Sequence, residues 1–457
     1  MSVAEQCDQL NQAPFPVTAD AAEWTASVRA EDIPASAYER AKHVLLDSIG
    51  CTVAGHAEPL AAILRDELLD GGGGLCTVFA DGTHARLLDA ALVNGATAHA
   101  LDYDDVNRKL HGHPTACIAP AVLALAEVLG TSGQDLLTSF IVGTEVACSL
   151  GEMCDEGHYE AGFHATGTMG TFGAAAACAR LMGLDAVATA NALGIAASQA
   201  SGLKANFGTM TKPFHAGKAA MNGLLAARLA ARGFTASSEA IEGAHGFSQA
   251  TAPGFNAAAI RGSDDAPYAV EDMLYKYHAA CFLTHSSLNA IRRLRDEHDI
   301  GLDDVETAKL KFRETHLSVC CIPEPATGLE IKFSINHLAA MGLDGADTGA
   351  LETYSDANAT DPRYVEARKR MLLDPVQEMD RSAAVVTLQL KDGRTLAAED
   401  NVGVPAADTE EQWRRLSEKF ASLATPVIGA ERTAEAIARI DALEKEANVS
   451  ALMKAVG

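Results

Sequence analysis

Residues 41–55 read AKHVLLDSIGCTVAG, and within them Ala41, Val44, Leu45, Ser48 and Ile49 fall at i, i+3, i+4, i+7 and i+8. That spacing lays small and apolar side chains along one stripe of an α-helix. Ala85–Ala100, Pro120–Leu129, Leu136–Leu150, Thr168–Met182, Ala186–Gln199 and Pro213–Arg232 read the same way, rich in Ala, Leu and Gly. Aromatic residues make up only 5% of the chain, so these helices pack closely through small side chains. Gly183 and Gly233 follow two of them, where a left-handed residue closes a helix.

The period changes after about residue 265. TAKLKFRET (307–315) alternates with period two, as does Ala384–Leu390, and Lys391-Asp392-Gly393-Arg394 then leads into Thr395–Ala397 as a hairpin with a DG turn. His285–His298 and Phe333–Leu343 read as helices, and amphipathic helix returns from Gln412 to Met453. The fold class expected is therefore mainly α: a large all-helical domain at 1–267, a smaller α+β lid domain inserted at 268–405, and C-terminal helices 406–457 packing back on the first domain. Gly71–Gly74 reads as a linker, since no GxGxxG or GxxxxGK[ST] frame surrounds it.

With 457 residues, 48% hydrophobic and 21% charged, the chain is globular and long enough for two domains. Lys and Arg number 36 against 61 Asp and Glu, a net charge of −25, which argues against nucleic acid as a partner. An anionic substrate then needs a locally positive site. Ten cysteines without a CxxC pair point to neither zinc nor thioredoxin chemistry and fit a reducing cytoplasm. Met1–Asp20 lacks a basic and apolar leader and no run approaches 18 uncharged apolar residues, so neither signal peptide nor membrane span is expected.

Several ionisable residues stand where helices begin or end. At Thr211-Lys212-Pro213 the residue before proline is held extended while proline suits a first helical turn, which predicts Lys212 at an N-cap with His215 in the turn after it. An ammonium and a helix N-terminus converging on one point make an anion site. His113-Pro114 repeats the arrangement beside the basic loop Asn107–Gly112. Upstream, Asp102, Asp104 and Asp105 crowd the end of an apolar helix, either as a base with its neighbours, as a solvated helix end, or, with His111 and His113, as a metal constellation. No HExxH motif supports a metal, and none is expected. His164 opens a helix inside a glycine-laced loop that lets backbone approach a ligand. Cys281 and His285 are spaced i,i+4, as a structural pair or a nucleophile and its base.

Taken together, AKHVLLDSIGCTVAG (41–55), VNGATAHALDYDD (93–105), HP (113–114), FHATGTMGTFGAAAACARLMGL (163–184), KANFGTMTKPFHAGKAA (204–220) and KYHAACFLTH (276–285) resemble the MmgE/PrpD family of 2-methylcitrate dehydratases, cis-aconitate decarboxylases and iminodisuccinate epimerase. The resemblance implies a helical domain with an α+β lid, a homodimer, a small polycarboxylate substrate and no cofactor. Carried over residue by residue, it implies that Asp102, His113, His164 and Lys212 are catalytic, with Lys204, His215, Cys281 and His285 around the substrate. Val106 stands where decarboxylases have Thr, Cys281 where they have a lid His, and His337 where Tyr is common in the FSxxY stretch. The activity expected is thus a hydro-lyase of the 2-methylcitrate dehydratase type, with an epimerase of an amino- or imino-dicarboxylate as the alternative. Cis-aconitate decarboxylation or a silent binding role ranks below both.

Overall fold

The structure, a computed structural model, describes residues 16–69, 73–257 and 267–457. The chain forms two units, one of residues up to Met273 together with Ala407–Gly457, the other Leu274–Ala406. Met1–Phe15, with Cys7, and part of the Gly71–Gly74 run lie outside the described residues.

The first unit is helical: α1 Val17–Ser27, α2 Ala35–Gly55, α3 Pro59–Leu68, α4 Leu87–Ala98, α5 Thr115–Leu129, α6 Gly133–Glu160, α7 Ala165–Leu181, α8 Ala186–Ala197 and α9 Thr211–Ala230. After the excursion into the second unit the chain returns as α12 Thr409–Ile428, α13 Ala430–Asp441 and α14 Ser450–Val456. At the centre α7 packs against α5, α6 and α9, while α9 packs against α4 and α12 against α2. Small residues permit these crossings. A Cβ on Gly217 of α9 would stand 2.2 Å from the Leu92 carbonyl oxygen of α4, so only glycine fits.

The small-residue and amphipathic patterns locate α2, α4 to α9 and the returning C-terminal helices but not α1 or α3, and the structure moves several of their ends. α5 starts at Thr115 with Pro114 as its N-cap, and Pro120 lies inside it rather than at its start. α9 starts at Thr211 with Met210 as N-cap, which puts Lys212 and Pro213 within the first turn instead of at the cap. Proline is tolerated there because first-turn N–H groups have no intrahelical acceptor in any case. Gly183 and Gly233 are left-handed at φ 66° and 83°, as expected of helix closers. α6 is long and apolar enough to cross a membrane by composition, yet 83% of its most apolar window is buried within the protein.

In the second unit, β3 Val305–Arg313, β4 Met371–Val376, β5 Ala383–Leu390 and β6 Thr395–Asn401 form one sheet in the order β4-β3-β5-β6, following the two-residue strands β1 Cys76–Thr77 and β2 His84–Ala85 of the first unit. β3 pairs parallel with β4 and antiparallel with β5, and β5 and β6 form the expected hairpin. β4 carries Asp374-Pro375, which obscures it in the sequence; as an edge strand it tolerates the missing N–H. Helices α10 His285–His298 and α11 Ile335–Leu343 cover the sheet, burying Ile291, Leu294 and Leu343 with Leu310, Phe312, Val386 and Leu388. The change of unit falls after Met273 rather than at 268, because the turn Ala269–Asp272 stays with the helices: the Ala269 N–H donates to Glu145 at 2.7 Å and Asn107 donates to the Ala269 carbonyl at 3.1 Å.

Candidate active site

Helix α4 ends at His99, and the next five residues double back so that Asp102 adopts a left-handed φ of 50°. The carboxylate cluster therefore folds beneath the helix instead of extending into solvent. Asp104 is fully buried, and both its oxygens lie 3.0 Å from His99 Nδ1. His113 Nδ1 stands 3.3 Å from Asp104 and 2.8 Å from the Asp105 carbonyl oxygen. A carbonyl can only accept, so His113 carries a proton on Nδ1 and turns Nε2 toward Asp102. Burial opposes ionisation of Asp104, but its interactions with the His99 and His113 imidazoles, both of which donate to it, outweigh that and hold this carboxyl well below the usual range. Burial pushes His99 down to about 4, so its imidazole is neutral and donates through Nδ1–H.

Asp102, by contrast, is partly open. Its Oδ1 lies 3.0 Å from Lys212 Nζ and 3.7 Å from His113 Nε2. Lys212 arrives from the first turn of α9, where its charge adds to the positive end of the helix. Phe207 walls this point: the Lys212 ammonium lies 5.4 Å from its ring centre, and His164 meets it edge-on with centroids 4.9 Å apart. His164 is the N-cap residue of α7, fixed by its N–H to the Gly202 carbonyl, and its Nδ1 lies 3.0 Å from His215 Nδ1. Both imidazoles are lowered, first by burial and then by the surrounding positive charge. Two neutral rings sharing one Nδ1···Nδ1 hydrogen bond need one proton between those nitrogens, so the acceptor ring carries its own proton on Nε2.

Asp102, His113, His164, Lys212 and His215 are thus brought together, and His99, Asp104 and Phe207 join them. His99 escaped the sequence reading because a histidine in the last turn of a small-residue helix passes for a C-terminal cap; the signal was an acid five residues on. Asp105 belongs to the scaffold. Burial, then the charges of Asp104 and Asp47, raise its carboxyl well above the usual range, and it accepts from Thr115 at 2.9 Å. Lys204 turns its ammonium to the Tyr159 carbonyl at 2.9 Å and lies over the Tyr159 ring, so its charge is engaged away from Asp102.

Cys281 and His285 lie in the second unit, and they do not share a helical face: Cys281 precedes a 3₁₀ turn, Phe282–Thr284, and His285 begins α10. The His285 Nε2 hydrogen-bonds the Ala280 carbonyl at 3.2 Å, and the Cys281 thiol sits beside Cys320. His337 is buried with Nε2 on the Asn358 carbonyl at 3.1 Å.

The metal constellation suggested by sequence is rearranged too. His99, Asp102, Asp104 and His113 offer donor atoms within 4.8 Å of one another, whereas Asp105 and His111 are not in the group. The electrostatics of that group are already satisfied by Lys212 on Asp102 and by imidazole N–H groups on Asp104.

Residues 19–259 match the MmgE/PrpD N-terminal domain and residues 278–445 the MmgE/PrpD C-terminal domain. The chain belongs to the MmgE/PrpD family. Cis-aconitate decarboxylase of Aspergillus terreus is 26% identical over 96% of this chain and 95% of its own length. A cis-aconitate decarboxylase-like protein, oryM, of Aspergillus oryzae is 27% identical over 96% of both chains. The human cis-aconitate decarboxylase is 28% identical over 73% of each. Within the MmgE/PrpD chain described here, the paired acid, imidazoles and lysine occupy the segments on which the sequence resemblance rests.

Proposed function

We propose that the protein is a lyase that forms a carbanion next to a carboxylate of a small di- or tricarboxylic acid, without a cofactor, and that dehydration of a 2-methylcitrate-type acid is its reaction. Membership of the family and the decarboxylase relatives support lyase-type action on a carboxylate. The observation that carries the finer reading is the convergence of Lys212, His113 and His164 around Asp102.

Removing a proton beside a carboxylate creates a doubly charged aci-carboxylate, which requires concentrated positive charge. Lys212 and the start of α9 supply it, in surroundings where burial strengthens each interaction. His113, oriented at Nδ1 by the Asp105 carbonyl and Asp104, uses Nε2 as the base, with Asp102 beside it at 3.7 Å. His164, sharing a proton with His215, hydrogen-bonds the departing hydroxyl, which leaves as water with a proton from the Lys212 ammonium, and the proton taken by His113 restores that ammonium. An epimerase would use the same base and would need a second, protonated group on the opposite face to return the proton to carbon. Decarboxylation is favoured by the names of the relatives, but Val106 and Cys281 replace the Thr and lid His that the resemblance associates with it. A cytoplasmic homodimer is part of this reading.

The test incubates the protein with 2-methylcitrate, citrate, cis-aconitate and iminodisuccinate in deuterated water. Appearance of a conjugated alkene supports dehydration, and deuterium exchange without loss of water supports the epimerase. Efficient itaconate formation from cis-aconitate, read by mass spectrometry, would replace dehydration by decarboxylation.

A further inference from the structure

Lys419 lies in α12, the helix with which the chain returns to the first unit, and its side chain is only 5% exposed. Its ammonium is 2.6 Å from Asp47 Oδ1, an oxygen of a side chain fully buried in α2. It also donates to the Tyr103 carbonyl at 2.7 Å and lies 3.9 Å from the centre of the Tyr103 ring. Tyr103 itself is 2% exposed and stands between Asp102, with its left-handed backbone, and Asp104. One buried cation thus grips both the carbonyl and the ring of the residue that separates the two acids of the site.

Burying a lysine and an aspartate takes both from water, and apolar side chains of similar size usually serve stability as well or better. The pair is therefore poorly explained as a stabilising device. What an apolar pair cannot supply is a donor for the Tyr103 carbonyl. A left-handed aspartate is a sparsely populated conformation that persists only when its surroundings over-determine it. The helices are pressed together at the right place to do so: a Cβ on Gly50 of α2 would meet Phe420, the neighbour of Lys419, at 3.0 Å.

We propose that Lys419, anchored on Asp47, is a positioning residue: it holds the Tyr103 carbonyl and thereby the Asp102 loop in the conformation that presents Asp102 to Lys212 and His113. The proposal rests on the reading of Asp102 given above and adds that the loop's geometry is set by the C-terminal helix, far along the chain.

The test is the double variant Lys419→Met with Asp47→Leu, which removes both charges together and keeps the volume filled. Hydrogen–deuterium exchange is read on peptides covering Leu101–Asp105 and on peptides from α2 and α7. The tether predicts exchange at least about tenfold faster in the loop with the two helices still protected, since its amides lose the contact that keeps them closed. Unchanged loop exchange overturns the proposal. In turnover, kcat falls on the order of 10- to 100-fold with KM within about threefold, as for a small misplacement of a catalytic group. A loosened loop with undiminished kcat also overturns it. If the double variant does not fold, Lys419→Arg decides: its longer, planar head predicts intermediate loop exchange, and wild-type exchange refutes the tether. If the wild type turns over none of the acids tested, the proposed reaction fails while loop exchange still decides the tether.

Discussion

The Lys212 ammonium stands 3.0 Å from Asp102 Oδ1, joining the first turn of one helix to the loop that ends another. Neither residue is deeply buried, with side-chain exposures of 16% and 30%, so the pair is open to a ligand and its charges are exchangeable for those of a substrate carboxylate. Packing needs this lysine little. Lys212→Ala is expected to lower kcat/KM by roughly 10²- to 10³-fold, the usual loss on deleting a group that stabilises developing charge. Circular dichroism and the melting temperature should stay close to wild type. A variant retaining more than about half of the activity would remove Lys212 from the mechanism.

Asp104 and Asp105 are adjacent and both buried, yet they should respond oppositely to amidation. Asp104 accepts from two imidazoles, and an amide nitrogen in its place faces N–H groups it cannot accept. Asp104→Asn is expected to cost on the order of 3 kcal/mol and to lower turnover at least about 100-fold. Asp105, kept protonated first by burial and then by its acidic neighbours, is already neutral, so Asp105→Asn should stay within about 1 kcal/mol of wild type. Chemical denaturation of the two variants side by side checks the contrast, and equal losses would contradict it.

Stability should fall on acidification. Burial pushes His99 down to about 4 and also lowers His164 and His215, whereas an imidazole in the unfolded chain titrates near ~6.5. Between those values the unfolded chain binds more protons, so by linkage stability is intact above about 6.5 and is lost as pH drops toward 4. Asp105 works the other way, because its unfolded form ionises while the folded one keeps its proton. The three imidazoles outweigh it on the acid side. Melting temperatures measured from neutral pH downward should decline through this window, and a flat profile would contradict the neutral, buried histidines.

Gly217→Ala should damage the site from beneath. The added methyl would stand 2.2 Å from the Leu92 carbonyl oxygen and 2.8 Å from the Ala96 nitrogen, forcing α9 away from α4. Overpacking of this kind costs roughly 1–3 kcal/mol. Since α9 carries Lys212 and His215, activity should fall with the melting temperature, and a variant as stable and active as wild type would show that the helices can separate freely.

Chelation should leave the enzyme working. Lys212 and the two imidazole N–H donors already satisfy the carboxylates that a cation would take. Turnover in EDTA is expected to match the untreated enzyme; loss on chelation with recovery on adding a divalent ion would instead assign His99, Asp102, Asp104 and His113 as ligands.

The sequence by itself determined most of the long helices, though not Val17–Ser27 or Pro59–Leu68, and the split between helical and alternating segments, because periodicities of 3.6 and 2 are local properties of side-chain placement. It also supplied Asp102, His113, His164 and Lys212, through motifs that stand at helix boundaries. Helix ends were legible only approximately, as at α5 and α9, where proline lies deeper than its usual first position because the fold, and not the dipeptide, sets where each helix starts. β4 was hidden by Asp374-Pro375, since pairing with β3 is a long-range relation. Which acid is ionised, which imidazole nitrogen holds the proton, that Lys204 faces Tyr159, and that Lys419 reaches the Tyr103 carbonyl were decided only by tertiary structure. Protonation and hydrogen-bond choice depend on burial and on partners far away in the chain, and those come into existence only when the helices pack.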